Sequence, residues 1–345
     1  MDRPPLLVKQ LGEADRVRWD AFVRACPDAT FFHLSAWRDI IRDVFRHRTF
    51  FLFAERAGEI VAVLPLAEVN SRLFGHALTS LPFCVYGGIA GAADAVAPLE
   101  AEAEALARRL GVQHLEFRNL GVRHADWPRQ DLYVTFRKEI LPDDEANLLA
   151  IPRKQRAMVR KAIRNGLASE IDADVERFFA LYAGNVLRHG TPALPKAFFE
   201  RLMQAFGGDC EVLTVTDTDG TAVSSVLSFY FRDEVLPYYA GDAVVARDLA
   251  ANDFKYWELM RRACARGYRL FDFGRSKVGT GPYGFKKNWG FEPTPLSYEY
   301  RLYKRDAVPQ NNPMNPKYRA FIALWRRLPL RVANALGPHI VRNLG

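Results

Sequence analysis

Apolar residues recur every three or four positions in Asp15 to Cys26, with Trp19, Phe22 and Val23 on one stripe, and again in Ala36 to Phe45, with Trp37, Ile40, Ile41 and Val44. That spacing predicts two amphipathic helices laid over a sheet. The pattern then shortens. Thr49 to Glu55 and Glu59 to Val69 are runs of apolar and β-branched residues on either side of Ala57 and Gly58, which predicts a hairpin. Leu78 to Ile89 is an apolar segment punctuated by glycine, Ala92 to Leu110 reads as an alanine-rich helix stopped by Gly111, and Val112 to Arg118 as a strand entered directly from it. Leu132 to Ile140 supplies a further strand, ended by Leu141, Pro142 and Asp143.

The order of elements then repeats without a clear repeat of sequence. Helices are expected over Pro152 to Asn165, Val175 to Leu187 and, entered through Pro195, Lys196 to Phe206. Three strands follow, Cys210 to Asp217, Ala222 to Phe231 and Glu234 to Ala240, joined at Asp219 and Gly220 and at Arg232 and Asp233, which predicts an antiparallel meander. Next comes a helix capped by Asn252, with Tyr256, Trp257, Met260, Ala263 and Cys264 inward and Lys255, Glu258, Arg262 and Arg266 outward. Gly267 stops it, and Tyr268 to Phe273 alternates as a strand, Leu270 and Asp272 on one face and Phe271 and Phe273 on the other. A glycine-rich loop follows, with Gly274, Arg275, Ser276, Lys277, Gly279, Gly281, Pro282 and Gly284, and then a second helix. Glycines let backbone amides approach a ligand, so the loop is a candidate anion cradle.

These patterns predict two α/β (α+β) domains, each a mixed, mostly antiparallel sheet covered by helices, over residues 1–145 and 146–307. Residues 308–345 form a proline- and asparagine-rich linker and a basic amphipathic tail. In the tail, Phe321, Ile322, Leu324, Trp325, Leu328, Leu330, Val332 and Leu336 alternate with Lys317, Arg319, Arg326, Arg327, Arg331 and Arg342. Such a segment fits an anionic membrane surface or an apolar groove of its own protein. At 345 residues, 49% hydrophobic and 12% aromatic, the chain is long enough for two cores. No run approaches the roughly 18 apolar residues needed to span a bilayer. The start, MDRPPLLVKQ, lacks a secretory pattern, so the cytoplasm is the expected compartment. Cys26, Cys84, Cys210 and Cys264 are far apart and are expected as reduced, buried thiols.

A net charge of +8 fits either a solvated basic surface or an anionic partner. The helix from Pro152 concentrates that charge: Arg153, Arg156, Arg160 and Arg164 project from neighbouring positions on one face, where they can clamp phosphate or pair with acids elsewhere. Several enzyme classes are excluded. There is no GxSxG elbow and no HExxH, and the seven histidines lack metal-ligand spacing, so no metal site is expected. Gly279, Gly281 and Gly284 satisfy GxGxxG formally, but Pro282 interrupts the loop. Gly279 to Lys286 departs from a P-loop because Phe285 separates the last glycine from the lysine.

The run Gly267, Tyr268, Phe271, Asp272, Phe273, Gly274, Arg275, Ser276, followed by Gly284, Phe285, Lys286, Lys287, Trp289 and Gly290, resembles the second half of FemAB-type proteins, relatives of the GNAT acyltransferases. Phe31, Phe32, His33, Leu34, Ser35 and Trp37, then Leu81, Pro82, Tyr86, Gly87 and Gly88, resemble the first half. The likeness covers roughly residues 15 to 305, and is nearest to the branch associated with exosortase (PEP-CTERM) and exopolysaccharide systems. It implies two tandem GNAT-like domains and a transferase that moves an acyl or aminoacyl group to an amine of a cell-envelope or exopolysaccharide precursor. The donor would be aminoacyl-tRNA, acyl-coenzyme A or an acyl carrier protein, with no tightly bound cofactor.

Acyl transfer to an amine needs positioning and carbonyl polarisation rather than a covalent intermediate. The resemblance implies that Phe285 and Lys286 lie near the transfer site, Lys286 stabilising charge on the attacked carbonyl. Asp272, costly to bury alone, is expected either to pair with Arg275 or Lys277 or to accept the amine's proton. Tyr239, Arg275, Lys277, Gly279, Gly281, Tyr283 and Gly284, with Arg153, Arg156 and Arg160, are candidates for donor or acceptor binding, although Tyr238, Tyr239 and Asp242 also read as core tyrosines and a turn aspartate. His33 and Tyr86 are expected only to pack. The Gln/Arg-x-x-Gly-x-Gly/Ala loop that holds coenzyme A pyrophosphate in GNAT enzymes is absent from the corresponding segment, AGDAVVARDLAAND. Two rivals remain, a coenzyme A-dependent acetyltransferase of a small metabolite and a non-catalytic scaffold held at the membrane by its tail.

Overall fold

A computed structural model describes residues 4–71, 74–309 and 316–343, and it divides into two compact units. Among the described residues, one comprises 4–71, 74–133, 295–309 and 343, the other 134–294 and 316–342. The first contains β1 (Leu6–Gln10), α1 (Arg16–Ala25), α2 (Ala36–Phe45), β2 (Arg48–Arg56), β3 (Glu59–Ser71), β4 (Gly75–Ser80), β5 (Ala90–Gly91), α3 (Val96–Leu110), β6 (His114–Asn119) and β7 (Arg129–Gln130). The second holds β8 (Tyr133–Glu139), α4 (Asp144–Ala150), α5 (Arg153–Arg164), β9 (Ala168–Asp172), α6 (Glu176–His189), α7 (Lys196–Phe206), β10 (Cys210–Thr216), β11 (Ala222–Phe231), β12 (Glu234–Asp242), α8 (Ala246–Leu249), α9 (Ala251–Ala265), β13 (Leu270–Asp272), β14 (Ser276–Lys277), α10 (Gly281–Asn288) and β15 (Pro293–Pro295). β16 (Ser297–Leu302) returns to the first unit, and α11 (Pro316–Trp325) and α12 (Leu330–Val341) close the second.

The predicted helices and the hairpin form where the patterns placed them. Ala57 and Gly58 both take positive φ, 50° and 86°, as the tight turn between β2 and β3 requires. The first sheet runs β1-β2-β3-β4-β6-β16-β7 and the second β14-β8-β13-β12-β11-β10-β9, with β5 and β15 attached to β3 and β8. In each sheet an antiparallel meander is followed by a helix and a parallel step, β4 to β6 through α3 and β12 to β13 through α9. The core of the second unit gathers Phe136, Val226, Trp257, Phe271 and Trp289 between sheet and helices.

The observed division differs from the expected boundaries at 145 and 307. β8 pairs antiparallel with β13, Asp272 opposite Arg137, so the strand expected to finish the first domain belongs to the second sheet. Conversely, β16 pairs antiparallel with β6, Tyr300 opposite Glu116, in the first sheet. Alternation marks both segments as strands but says nothing about which edge each will find. The central helix also departs from expectation. It begins at Ala251 behind Ala250, whose φ is +59°, with the short α8 directly before it, so Asn252 is an interior residue rather than the cap.

The proline- and asparagine-rich stretch from 310 to 315 lies outside the described residues. Beyond it, α11 and α12 rest on the second unit. A Cβ on Gly190 would come within 2.5 Å of Ile322 Cγ2, one on Gly337 within 3.0 Å of the Ala193 carbonyl oxygen, and Trp325 and Ala333 are buried.

α6 crosses β12 so closely that a Cβ on Gly241 would come within 2.5 Å of the Leu181 carbonyl carbon and of Tyr182 Cα. Both neighbours are main chain and cannot swing aside. Gly241→Ala is therefore expected to destabilise the second unit by roughly 1–3 kcal/mol or more, read as a lowered urea midpoint. An unchanged midpoint would show that α6 is free to shift.

Candidate active site

β12 and β13 register at only two positions, Glu234 with Leu270 and Val235 with Phe271. Beyond them β12 follows β11 to Asp242, helped by a bulge at Tyr238, where Leu227 pairs with Tyr239 and Ser228 with Pro237. β13 stops at Asp272. The two strands part, and exposure begins where they do: Val235, Leu236 and Pro237 are buried, whereas Tyr238, Tyr239 and Ala240 are half-buried. In the first sheet the same parallel step is closed. β4 and β6 register over four positions, Ala77 with His114 to Ser80 with Phe117. Residues 81–88 then cover the strand ends: Gly87 and Gly88 amides donate to the Arg118 carbonyl at 3.1 and 3.2 Å, and Arg118 Nη1 donates to the carbonyls of Leu81 and Cys84. Tyr86 is buried in edge contact with Phe32, and His33 is buried too.

A strand that leaves its neighbour exposes unpaired carbonyls. Here Lys286 meets them, donating from Nζ to the carbonyl oxygens of Phe273, Gly274 and Arg275 at 2.7, 3.0 and 3.3 Å. The side chain is 9% exposed, and burial, with Arg275 nearby and against the pull of Asp272, lowers its pKa to about 7. Phe285 is half-buried, 5.6 Å from the Tyr256 ring and 5.9 Å from that of Trp289. Asp272 is buried as well. Its carboxylate accepts from the Gly274 amide at 2.7 Å and the Thr135 hydroxyl at 3.2 Å, and lies 3.3 Å from Arg137 Nε. Arg137, which also bonds Glu234 Oε2 at 2.5 Å, supplies Asp272 with a neutralising charge from β8. A carboxylate so committed holds the strand end in place.

The glycine-rich segment is only partly a loop. Gly281 and Gly284 lie inside α10, whose first residue is Gly281, because Thr280 and Pro282 start a helix there. A Cβ on Gly274, Gly279, Gly281 or Gly284 would meet no atom within 4 Å, and Gly279 and Gly281 are exposed, so the surface there is open. Arg275 and Lys277 are half-buried beside it, and burial with Arg275 lowers the Lys277 pKa to about 8. Tyr283 stands edge-on to Phe136 at 5.5 Å. A helix N-terminus, an open backbone and two cations make a surface suited to an anionic group. Tyr239 belongs to an aromatic cluster with Phe199 at 5.2 Å, Phe198 at 5.8 Å and Tyr182 at 6.3 Å.

The α5 cations face solvent. Arg153, Arg160 and Arg164 are exposed and hold no ion pair among the described residues, whereas Arg156 is half-buried and donates to the Leu149 carbonyl at 3.3 Å. The buried side of α5 is fixed through Gln155, which donates to Asp253 Oδ1 at 3.1 Å, the same oxygen that accepts from Trp289 Nε1 at 3.0 Å. Burial raises the Asp253 pKa. Sequence reasoning missed this carboxylate, and it also put Lys255 on the solvent side. Lys255 is fully buried, with Nζ 2.9 Å from Asp242 Oδ1, which also accepts from the Ser224 hydroxyl. The only warning in the sequence was that Asp242 ends a strand directly before that helix.

Residues 153–287 match the family described as Acetyltransferase (GNAT) domain. The chain is 24% identical over 117 residues to the UDP-N-acetylmuramoylpentapeptide-lysine N(6)-alanyltransferase of Weissella viridescens, a match that covers 33% of this chain and about a third (34%) of that relative's length. The crystal structure of FemX superposes with a TM-score of 0.67 at 15% identity, covering 86% of this chain and 98% of that one. The chain is similar to FemAB-like GNAT proteins. A tandem GNAT protein from the clavulanic acid biosynthesis pathway shares the fold at a TM-score of 0.55 and 12% identity, covering 86% of this chain and 98% of its own. The two-domain GNAT architecture expected from the sequence is therefore the one observed.

Two outcomes follow from these buried cations. Removing Asp242 strands the Lys255 charge, so Asp242→Ala is expected to cost about 3–5 kcal/mol, whereas Lys255→Met, which removes the charge itself, is expected to cost about 1 kcal/mol or less. Urea unfolding of the two variants checks the asymmetry, and equal losses would refute it. For Lys286 the folded pKa lies below the unfolded one. Its contribution to stability is thus fully present above about 10.5 and is lost as pH falls through about 7. Unfolding free energy should rise across that window, and the rise should be smaller in Lys286→Met.

Proposed function

We propose that this FemAB-like protein is an N-acyltransferase that moves an aminoacyl or acyl group from a carrier to an amine of a cell-envelope precursor. The observation that carries this reading is the parting of β12 and β13 beside the open, cationic surface of Arg275, Lys277 and the start of α10. A donor carbonyl laid along the free edge of β12 meets main-chain amides fixed in advance, and the neighbouring positive charge stabilises the oxygen as the amine attacks. A C–N bond forms, the C–O bond of an ester or C–S bond of a thioester breaks, and the leaving oxygen or sulfur takes up a proton as the amine loses one. Lys286 contributes by fixing the carbonyls at the edge of the opening. Asp272 orders the adjoining turn.

The donor we favour is aminoacyl-tRNA. The segment before α9 lacks the coenzyme A pattern, and Asp253 already puts a buried carboxylate in the first turn of that helix, where a pyrophosphate would have to sit. The exposed Arg153, Arg160 and Arg164 offer an alternative anchor for nucleic-acid phosphates. The alanyltransferase similarity supports a peptidoglycan-type or related polysaccharide precursor as acceptor. Within that class we include the precursors of exopolysaccharide and exosortase (PEP-CTERM) systems. Charged tRNA and acyl-coenzyme A are both made in the cytoplasm, which is where the reaction is proposed to occur.

Labelled aminoacyl-tRNA and labelled acetyl-coenzyme A, supplied separately with an amine-bearing precursor, test the assignment. Transfer from tRNA is expected, weakening steeply with salt. In Arg153→Gln/Arg160→Gln/Arg164→Gln, KM for tRNA should rise at least about tenfold with kcat nearly unchanged. Transfer from acetyl-coenzyme A alone would overturn the donor, and transfer from neither would overturn the enzyme.

A further inference from the structure

The two tail helices carry a face that their own fold leaves uncovered. α11 and α12 dock on the same support. Ile322 sits against Gly190, Arg326 Nη2 donates to the His189 carbonyl at 3.4 Å, and Gly337 packs on Ala193. The sides turned away from that support expose apolar residues among basic ones. Phe321, Leu324, Leu330, Val332 and Leu336 are 38%, 66%, 40%, 41% and 47% exposed. Of the 16 large apolar side chains exposed among the described residues, these five fall within 16 consecutive positions, a concentration of exposed apolar surface on the tail helices.

The charge carried by the tail itself has one sign. After Asp306 the sequence contains no Asp or Glu, while Lys317, Arg319, Arg326, Arg327, Arg331 and Arg342 all follow it. Arg327 and Arg331 are exposed, hold no ion pair among the described residues and bracket Leu330 at the start of α12. A protein partner of ordinary composition would have to offer an apolar surface rimmed by acids. An anionic bilayer offers both in a plane, and two short helices lying flat with arginines at headgroup level match it. We infer that the face of α11 and α12 bearing Phe321, Leu324, Val332 and Leu336 docks on anionic phospholipid, seating the protein on a membrane surface. This contact is separate from the transfer chemistry, so either can fail without the other.

Co-sedimentation of the full chain with two kinds of vesicle tests this directly. Binding is expected to vesicles in which a third of the phosphatidylcholine is replaced by phosphatidylglycerol, and not to phosphatidylcholine alone. It should fall as salt is raised from about 0.1 M to about 1 M, where screening shortens from about 10 Å to about 3 Å. Leu324→Glu/Leu336→Glu should abolish binding, and Arg327→Gln/Arg331→Gln should weaken it by about thirty-fold, at about fivefold for each cation. Both pairs are exposed, so the urea midpoint should not move. Wild-type binding by either variant, or equal binding to both vesicles, would overturn the proposal. So would a dimer in sedimentation velocity that Leu324→Glu dissociates while no vesicle is bound, since the face would then cover a second copy.

Discussion

A sheet that opens must do something with the main-chain groups it unpairs. In the second unit this is solved by one ammonium: Lys286 reaches from α10 to three successive carbonyls at the end of β13, while Asp272 takes up the Gly274 amide from the other side. Unsatisfied buried carbonyls would otherwise cost as much as lost hydrogen bonds. The fixed end of β13 allows β12 to continue to Asp242 paired only with β11, without the sheet closing again. The open edge, the exposed glycine surface and the start of α10 all depend on that support.

Several buried charges of this unit lie on the elements next to the opening. Arg137 bridges Glu234 and Asp272, Lys255 pairs with Asp242 at the far end of β12, and Asp253 collects Gln155 and Trp289 at the start of α9. Each is a polar group that a stability-minded core would replace with a hydrocarbon, because desolvation offsets most of the attraction. Their positions along the two strands that part and the helix between them are consistent with geometry being held at an energetic cost. The first unit offers the contrast. There the parallel step registers over four positions and residues 81–88 seal its end, so the duplicated architecture has one open copy and one closed.

Two cationic surfaces remain outside this network, and they differ in kind. α5 presents three exposed arginines with Ile163 as its one large exposed apolar side chain, the character of a phosphate-binding stripe, and is held to α9 through Gln155. The tail mixes arginines with exposed leucine, valine and phenylalanine, the character of an interfacial helix pair. Charge alone would have lumped them together.

Hydrophobic period, glycine stops and turn residues were enough, without coordinates, to define most helices and strands, the repeated order of elements and the GNAT-like character of Gly267 to Gly290, because these are written in local spacing. Local spacing cannot say which strand edge a segment will find, and so β8 and β16 exchanged sheets against expectation. Nor can it see burial from a third direction. Lys255 has the helical position of a solvent residue, yet folds under β12 beside Asp242, and Lys286 reads as a surface lysine next to Lys287 until the carbonyls of β13 are brought to it. The partner of Asp272 lay 135 residues earlier, on a strand that only tertiary pairing placed alongside.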